Sequence, residues 1–244
     1  MQVQFLGCGD AFGSGGRFNT CFMVSGEECR FLIDCGASSM IAMRRYQVDP
    51  NSIGTVFLTH LHGDHFGGLP FMILDAQLMS KRSEPLTIVG PESTEKRLHE
   101  AMEVLFPGSS GIAWRFELNI EEFRGEKPWR RDPFTVSPYR VKHDCGAPPY
   151  ALRIECEGRT ITYTGDTEWV EALVPAAHEA DLFIAEAYFS DKKVKFHLDL
   201  ETLVGRLGEI RPKRLVLTHM SPEMLEQLSG IRHETAEDGL TLEI

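Results

Sequence analysis

The chain has 244 residues, 42% of them hydrophobic, and its 25 lysines and arginines against 36 aspartates and glutamates give a formal net charge of −11. This acidic balance argues against a general nucleic-acid-binding protein, which needs a broad basic face. No segment is apolar over the length that spans a bilayer. The N-terminal stretch MQVQFLGCGD lacks the basic and apolar regions of a signal peptide, so we expect no membrane association.

The cysteines form no C-x-x-C pair and show no spacing typical of a disulfide framework. They are Cys8, Cys21, Cys29, Cys35, Cys145 and Cys156. Reduced thiols are typical of the cytoplasm, so the sequence favours a cytoplasmic protein.

In chain order, the first third contains short β-like runs: VQFL, CFMV, RFLID and TVFLTH. A helix is predicted from Leu69 to about Met79, and LTIVG reads as the next strand. An amphipathic pattern then predicts a helix over Ser93–Leu105, with Ser93 or Thr94 near its cap. The segment from Phe123 to Pro138 is rich in arginine, proline and glycine, which predicts irregular structure.

In the second half of the chain, the predicted strands and helices alternate more regularly. Three strands are predicted in FTVSPYRV, YALRIECE and TITYTGD, with a hairpin turn at EGRT. Helices are predicted at about Glu168–Glu179, at about Asp199–Ile210 and after Ser221, separated by the strands DLFIAEA and RLVLTH. This order indicates an α/β (α+β) protein with mixed sheets covered by helices. No linker or low-complexity tract interrupts it, so residues 1–244 are predicted to form one domain.

Ligand-type side chains follow the predicted strands. Five strands run out into an aspartate or a histidine: Asp34, His60, His143, Asp166 and His219. Sites in layered α/β proteins commonly gather beyond strand ends, where rigid strands position side chains and loops leave room. We therefore expect these five residues to lie close together.

The turn LTHLHGDHFGGLP is the densest of these segments. His60, His62, Asp64 and His65 fall within six residues, in an H-x-H-x-D-H pattern. Imidazole and carboxylate ligands suit zinc, and also manganese or iron. His60 and His62 can face one point while Asp64 and His65 face a neighbouring one, so this turn can serve two metal ions. The glycines at 63, 67 and 68 are expected to permit the tight backbone.

This turn resembles the central motif of the metallo-β-lactamase superfamily, and FLIDCG, VKHD, YTGDT and LVLTHMS resemble that superfamily's other motifs. The resemblance covers nearly the whole chain and implies a four-layer αββα sandwich. It implies that His60, His62 and His143 hold one divalent metal ion, most simply Zn²⁺, and that Asp64, His65 and His219 hold another. Asp166 would bridge the two, and Asp34 would orient a ligand of the central turn.

Two further sequence features resemble those of the branch that contains ribonuclease Z and cyclic phosphodiesterases. FLGCGDAFGSGGRFNTC resembles the opening of that branch, and Glu186, His197 and LTHMS follow in its order. The resemblance implies that His197 donates a proton or contacts phosphate and is held by Glu186. Ribonuclease Z usually carries a long tRNA-gripping arm between the fourth motif and this glutamate, whereas here only about twenty residues join Asp166 to Glu186.

The sequence therefore predicts a dinuclear-metal-dependent hydrolase, most simply a phosphodiesterase with Asp64, Glu186 and His197 in catalysis. Its substrate would be a cyclic nucleotide, another small phosphodiester or an RNA 3′ end. Two alternatives stay open: a thioester or lactone hydrolase on the same site, and a ribonuclease Z-type tRNA 3′ endonuclease without the long arm. We expect a small anionic partner, no extended nucleic-acid surface and, by analogy, a homodimer. Lys192, Lys193 and Lys195 could hold a phosphate or form a solvated turn.

Overall fold

Residues 1–244 form two seven-stranded β-sheets in the computed structural model. The first sheet contains β1 (Gln2–Gly7), β2 (Cys21–Ser25), β3 (Arg30–Ile33), β4 (Thr55–Phe57), β5 (Leu86–Gly90), β6 (Leu118–Glu122) and β14 (Thr241–Glu243). Its strand order is β14-β1-β2-β3-β4-β5-β6. The strands from β3 to β6 are parallel, while β14, β1, β2 and β3 pair in antiparallel fashion, so the sheet is mixed.

The second sheet is also mixed. It contains β7 (Trp129–Arg131), β8 (Phe134–Arg140), β9 (Tyr150–Cys156), β10 (Arg159–Tyr163), β11 (Leu182–Glu186), β12 (Leu215–Thr218) and β13 (Glu234–Thr235). The strand order is β13-β12-β11-β10-β9-β8-β7. Strands β10 to β13 are parallel, so their carboxyl ends open onto one edge of the sheet.

Seven α-helices complete the fold. They are α1 (Ser39–Arg45), α2 (Gly63–Phe66), α3 (Leu69–Leu78), α4 (Thr94–Leu105), α5 (Leu173–Ala177), α6 (Leu200–Ile210) and α7 (Pro222–Glu226). Asp199 begins α6 by accepting a hydrogen bond from the Thr202 N–H at 2.8 Å, which satisfies one of the free donors of the first turn. No α-helix of this fold combines the length and the apolar character needed to cross a lipid bilayer.

Three hydrophobic clusters separate the layers. The cluster between the sheets is aromatic: Phe22 packs edge-on against Tyr163 at 5.0 Å between ring centroids, and Phe31 against Phe134 at 5.2 Å. A second cluster lies under α1, α3 and α4 on the outer face of the first sheet. A third joins α5, α6 and α7 to the outer face of the second sheet. The layers therefore run helix, sheet, sheet, helix, which confirms the predicted sandwich.

Two predicted segments differ from the structure. The helix predicted at about Glu168–Glu179 is confined to Leu173–Ala177: before it the Glu168 N–H donates to the carbonyl oxygen of Lys142, and after it His178 has an extended ψ of 122° and Glu179 a left-handed φ of 52°. The segment predicted to be irregular contains β7, which pairs antiparallel with β8 despite its arginine-rich sequence. The first difference places Glu168 beside the candidate site.

Candidate metal centre

The turn after β4 carries four of the predicted ligands. His60 follows the strand by three residues, and Asp64 and His65 lie in the short helix α2. His60, Asp64 and His65 are buried, and His62 is half-buried. A buried strand therefore leads directly into a turn whose imidazole and carboxylate groups face inward, where such groups need a partner.

Two of the three glycines of this turn, at 67 and 68, are needed for close packing, whereas an added Cβ at Gly63 would meet nothing within 4 Å. A Cβ atom at Gly67 would lie 2.4 Å from the carbonyl oxygen of Gly63, and one at Gly68 would lie 2.3 Å from that of Gly36. Their φ angles are −65° and −78°, which any residue can adopt. The tight turn was therefore predicted correctly, and its physical reason at these two positions is backbone approach rather than a left-handed conformation.

Asp34, directly after β3, orients the turn. Its Oδ2 accepts a hydrogen bond from Nδ1 of His65 at 2.7 Å, and its Oδ1 accepts one from the Thr59 N–H at 2.8 Å. The Thr59 hydroxyl also donates to Oδ2. Asp34 has a φ of 59°, a left-handed backbone that is unusual for a residue with a side chain. These contacts fix His65 with its Nε2 directed away from Asp34.

Strand ends of the second sheet bring the other predicted residues to the same place. His143 follows β8, Asp166 follows β10, and His219 follows β12 with a left-handed φ of 55°. Asp166 Oδ1 lies 3.2 Å from Nε2 of His65, and its Oδ2 lies 3.4 Å from Nε2 of His219. The facing edges of both sheets thus meet at Asp166.

The side chains form two adjoining groups, and within each group the ligand atoms all lie within 4.8 Å of one another. The first group is His60, His62 and His143, and the second is Asp64, His65, Asp166 and His219. Asp166 also reaches the first group, with Oδ2 at 4.0 Å from Nε2 of His60 and 3.9 Å from Nε2 of His143. This is the grouping implied by the superfamily resemblance, with Asp166 placed between the two.

Unpaired buried atoms show that the donor set fits metal ions. His60 Nε2, His65 Nε2 and Asp166 Oδ1 are buried without a hydrogen bond, although the last two atoms lie 3.2 Å apart. Burial, together with the neighbouring His65, holds the pKa of His60 well below its usual range, which leaves the neutral imidazole that a metal requires. Burial opposes ionisation of Asp166, but the surrounding histidines outweigh it and hold its pKa well below the usual range. Burial lowers the pKa of His65 and His219, but Asp166 and the other carboxylates outweigh it and raise both well above the usual range, so these two imidazoles must give up a proton when a metal ion binds.

His197 and Glu186 lie against the second group. Nδ1 of His197 donates a hydrogen bond to Oε1 of Glu186, which is fully buried at the end of β11. The His197 ring stacks on Tyr188 at 4.5 Å between centroids and lies 6.0 Å from the ring of His219. Burial lowers the pKa of His197, but the bond to Glu186 outweighs this and raises it above the ordinary value of 6.5.

A strap, residues 190–197, delivers His197 to the site. Phe196, in a left-handed backbone with a φ of 73°, accepts a hydrogen bond on its carbonyl oxygen from Nδ1 of His143 at 3.0 Å. The Phe196 N–H donates to Oε1 of Glu168 at 2.9 Å, and Lys142 Nζ donates to Oε2 of the same carboxylate at 2.8 Å. The strap therefore orients a predicted ligand as well as carrying the candidate proton donor.

Four residues on the cavity wall were missed by sequence reasoning. Asp10, Ala11 and Phe12 from the glycine-rich loop, and Tyr188 after β11, line a cavity of about 200 Å³ with the predicted ligands and His197. Phe12 is 84% exposed, and the carboxylate of Asp10 holds its loop by accepting the N–H groups of Phe12 and Ser14 at 3.1 and 2.9 Å. A phenylalanine set among glycines, in GDAFGSGG, was the available sequence signal.

The lysine cluster lies outside the cavity. Lys192, Lys193 and Lys195 are exposed, and none of them lines the cavity wall. Lys192 sits 3.8 Å from Glu223 and 4.4 Å above the Phe189 ring, and Lys195 lies over the Phe196 ring. These contacts favour the solvated-turn alternative for the lysines.

Two facing mixed sheets with outer helices, and a histidine and aspartate cluster at their common end, define this chain as a metal-dependent hydrolase of the metallo-β-lactamase superfamily. The family model described as "Anti-Pycsar protein Apyc1" matches residues 1–238. The chain belongs to that family.

Relatives confirm the predicted ribonuclease Z-like branch. Ribonuclease Z of Haloferax volcanii is 26% identical over 308 aligned positions, covering 100% of this chain and 95% of the relative. Ribonuclease Z of Halorubrum lacusprofundi is 28% identical, covering 97% and 92%. The crystal structure of the short form of human tRNase Z has 27% identity and a TM-score of 0.80, covering 100% and 99%. A diphosphatase from the PhnP family, at 18% identity and a TM-score of 0.81, covers 100% and 97% and shares the fold.

Proposed function

We propose that this chain is a dinuclear zinc phosphodiesterase that hydrolyses a cyclic nucleotide or another small phosphodiester. The observation that carries the proposal is the His197–Glu186 pair held against the His/Asp cluster. Hydrolysis of a phosphodiester breaks one P–O bond and releases an alkoxide that must gain a proton, and a histidine with a raised pKa beside the reacting atoms can supply it.

Seven side chains would hold the metal ions. His60, His62 and His143 would hold one ion, Asp64, His65 and His219 would hold the other, and Asp166 would touch both. When bound, such a pair of ions stabilises charge on the phosphoryl oxygens and lowers the pKa of water to supply a nucleophile. Zn²⁺ fits this donor set best among common ions, and Mn²⁺ or iron would fit the same atoms.

The chain's own groups would complete the reaction. Nδ1 of His197 is engaged by Glu186, so its Nε2 is the atom that would give a proton to the leaving oxygen. Glu186 would keep that tautomer, because its other oxygen is fixed by the N–H groups of Thr167 and Leu198 at 2.9 and 3.2 Å. Asp64 lines the cavity as a carboxylate whose pKa is held below its usual range; burial opposes this, and His65 outweighs it. It would align the attacking water.

Size and charge favour a small substrate. The cavity of about 200 Å³ suits a nucleotide portion rather than a folded RNA surface. The net charge of −11 also disfavours an extended nucleic-acid interface. Phe12 at the cavity wall offers an exposed aromatic face on which a base could stack.

A second candidate is a ribonuclease Z-type endonuclease that cuts at an RNA 3′ end. It is favoured by the relatives named ribonuclease Z, which match along nearly the whole chain. The alignment with the Haloferax volcanii protein spans 308 positions, 64 more than the 244 residues of this chain. This chain therefore lacks segments that the relative has, and we rank the small-substrate hypothesis first.

A substrate panel tests the proposal. Zinc-loaded protein is assayed with bis(p-nitrophenyl) phosphate, 3′,5′-cyclic nucleotides, a tRNA precursor, and thioester and lactone substrates. We expect turnover of the cyclic nucleotides, with kcat about 10²–10⁴-fold lower in His197→Ala and metal content unchanged. His99→Ala, an exposed histidine on α4, is the matched control. Turnover of only the tRNA precursor would favour the second candidate, and turnover of only thioesters or lactones would overturn both.

We also propose a homodimer and a cytoplasmic location. An apolar groove of about 490 Å³ between α1 and α3 is lined by Met40, Ile41, Phe71, Leu74, Leu78, Met79 and Phe106. Met79 is 74% exposed there, and such contiguous apolar surface is typical of protein interfaces. Light scattering should give a dimer mass, and Met79→Glu should shift it to a monomer. All six cysteines are free thiols, which supports the cytoplasmic assignment.

A further inference from the structure

We propose that Cys29 and Cys156 are a redox modification site, and that they form a reversible disulfide that links the two β-sheets at the end opposite the metal centre. The two sulfur atoms lie 3.1 Å apart, although the residues are 127 positions apart in the chain. Cys29 lies in the turn between β2 and β3 of the first sheet. Cys156 is the last residue of β9 in the second sheet. A bond between them would therefore cross the sandwich.

Hydrogen bonds already hold the two turns together. The Glu157 carboxylate, in the turn between β9 and β10, accepts the N–H groups of Glu27 and Glu28 at 3.0 and 2.9 Å. A Cβ atom at Gly26 would lie 2.3 Å from both oxygens of that carboxylate, so a larger residue there would displace the Glu157 carboxylate from these hydrogen bonds. A disulfide has a sulfur–sulfur distance of about 2.05 Å, so the sulfurs need to close by roughly 1 Å.

The same three side chains could be read as a metal site. The ligand atoms of Cys29, Cys156 and Glu157 lie within 4.8 Å of one another. Both oxygens of Glu157, however, are engaged by backbone N–H groups, which leaves two sulfur ligands where a structural zinc site needs four ligands. The contacts therefore favour a disulfide over a metal.

One thiol of the pair is partly accessible, and the other is acidified. Cys29 is half-buried and Cys156 is 4% exposed, whereas Cys21 and Cys35 are fully buried. The contact between the two sulfurs lowers the pKa of Cys156, because a thiolate there accepts the Cys29 S–H, and it raises the pKa of Cys29 well above its usual range. Burial instead raises the pKa of Cys35 to about 12, which keeps it a thiol.

The oxidant is a small-molecule disulfide. One protein thiolate attacks a sulfur of that disulfide, forming a mixed disulfide and releasing one small thiolate. The second protein thiolate then attacks the protein sulfur of the mixed disulfide and releases the other. The protein loses two electrons and two protons, and the small disulfide becomes two thiols.

The bond would act on stability rather than on the active site. The strand β3 separates Cys29 from Asp34, and β10 separates Cys156 from Asp166, so the pair lies roughly 15–20 Å from the cluster at about 3.3 Å per residue. A cross-link that closes a loop of more than one hundred residues restricts the unfolded chain strongly. We expect the midpoint of thermal unfolding to rise by about 5–15 °C on oxidation.

The test uses the full chain treated with oxidised glutathione, and then with dithiothreitol. Digestion with trypsin and a glutamate-specific protease separates Cys21 from Cys29, since Glu27 and Glu28 lie between them. We expect a linked peptide pair containing Cys29 and Cys156, a mass loss of about 2 Da, and a rise in the unfolding midpoint that dithiothreitol reverses. Cys29→Ala should abolish all three, whereas Cys145→Ala should abolish none.

The wild-type chain makes the test independent of whether a variant folds, because its oxidised and reduced forms are compared directly. Glutathione adducts without the linked pair, a different cysteine pairing, or an unchanged unfolding midpoint would overturn the proposal. Zinc held by the reduced pair, and lost in Cys29→Ala, would also overturn it. None of these readouts depends on the substrate of the metal centre.

Discussion

The turn that carries His60, His62, Asp64 and His65 and the strap that carries His197 meet at one cavity, but the fold holds them differently. The turn is largely buried, closed by glycine contacts and fixed through Asp34 to the end of a core strand. The strap is exposed or half-buried throughout and is tied down by hydrogen bonds of Phe196 to Glu168 and His143 and of His197 to Glu186. Under the proposed function the turn would bind metal and the strap would deliver the proton, so we expect changes to the two regions to give different losses.

Removing the shared carboxylate should have the largest effect. Asp166→Ala leaves His60, His65 and His219 without the group that faces all three. We expect metal content to fall below two ions per chain and turnover to fall on the order of 10³-fold or more, because the charge that stabilises the reaction is lost. Elemental analysis and a phosphodiester assay measure both. Full metal content with normal turnover would exclude Asp166 from the site.

A change behind the turn should be smaller. Asp34→Asn keeps the shape of the side chain but weakens its bond to His65. We expect a 10–100-fold loss of metal affinity or activity, the usual consequence of removing a group that orients a metal ligand. Titration against a chelator measures the affinity. If excess zinc restores turnover in this variant and fails to do so in His197→Ala, the two regions are separable as described.

The pH dependence of turnover should also distinguish the strap from the turn. Glu186 raises the pKa of His197 above 6.5 against the effect of burial, so His197 keeps its proton below that raised pKa and loses it as pH rises through it. If His197 donates a proton, turnover must fall on this basic side. In Glu186→Gln burial remains and the charge is gone, so the fall should move to lower pH. A profile of kcat against pH measures this, and an unmoved basic limb would contradict the assigned role.

Loosening the strap should have the smallest effect. Glu168→Ala removes the contacts to Phe196 and Lys142, each worth about 1 kcal/mol. We expect kcat to fall roughly fivefold with metal content intact. Glu171→Ala, whose exposed carboxylate lies outside the strap, is the matched control. A loss of metal in Glu168→Ala would show that strap and turn are more tightly coupled than their contacts indicate.

The same contrast explains what the sequence could predict. The turn can be predicted from the sequence because its ligands fall within six residues. The strands before Asp34, Asp166 and His219 can be predicted because they are alternating or continuous runs of apolar residues. The strap and the rest of the cavity wall are harder to predict. No local pattern shows that Lys192 and Lys195 of the strap face solvent, or that Phe12 and Tyr188 line the cavity.

The length of the helix before β11 was predicted wrongly for a related reason. Its pattern was helical over twelve residues, but Glu168 is held by Lys142, which is 26 positions away. Tertiary contacts of this kind override local propensity, and a single sequence does not display them.

The left-handed backbone at Asp34 and His219 has a consequence for which substitutions are expected once selection for catalysis is lost. At both positions a side chain is retained in a conformation that costs roughly 1–2 kcal/mol and that glycine adopts freely. Glycine would relieve the backbone strain at both places, but at position 34 it would leave the Thr59 N–H and Nδ1 of His65 without their buried acceptor. We therefore expect inactive relatives to carry asparagine, which keeps a side-chain oxygen, at position 34 before their aromatic interiors change.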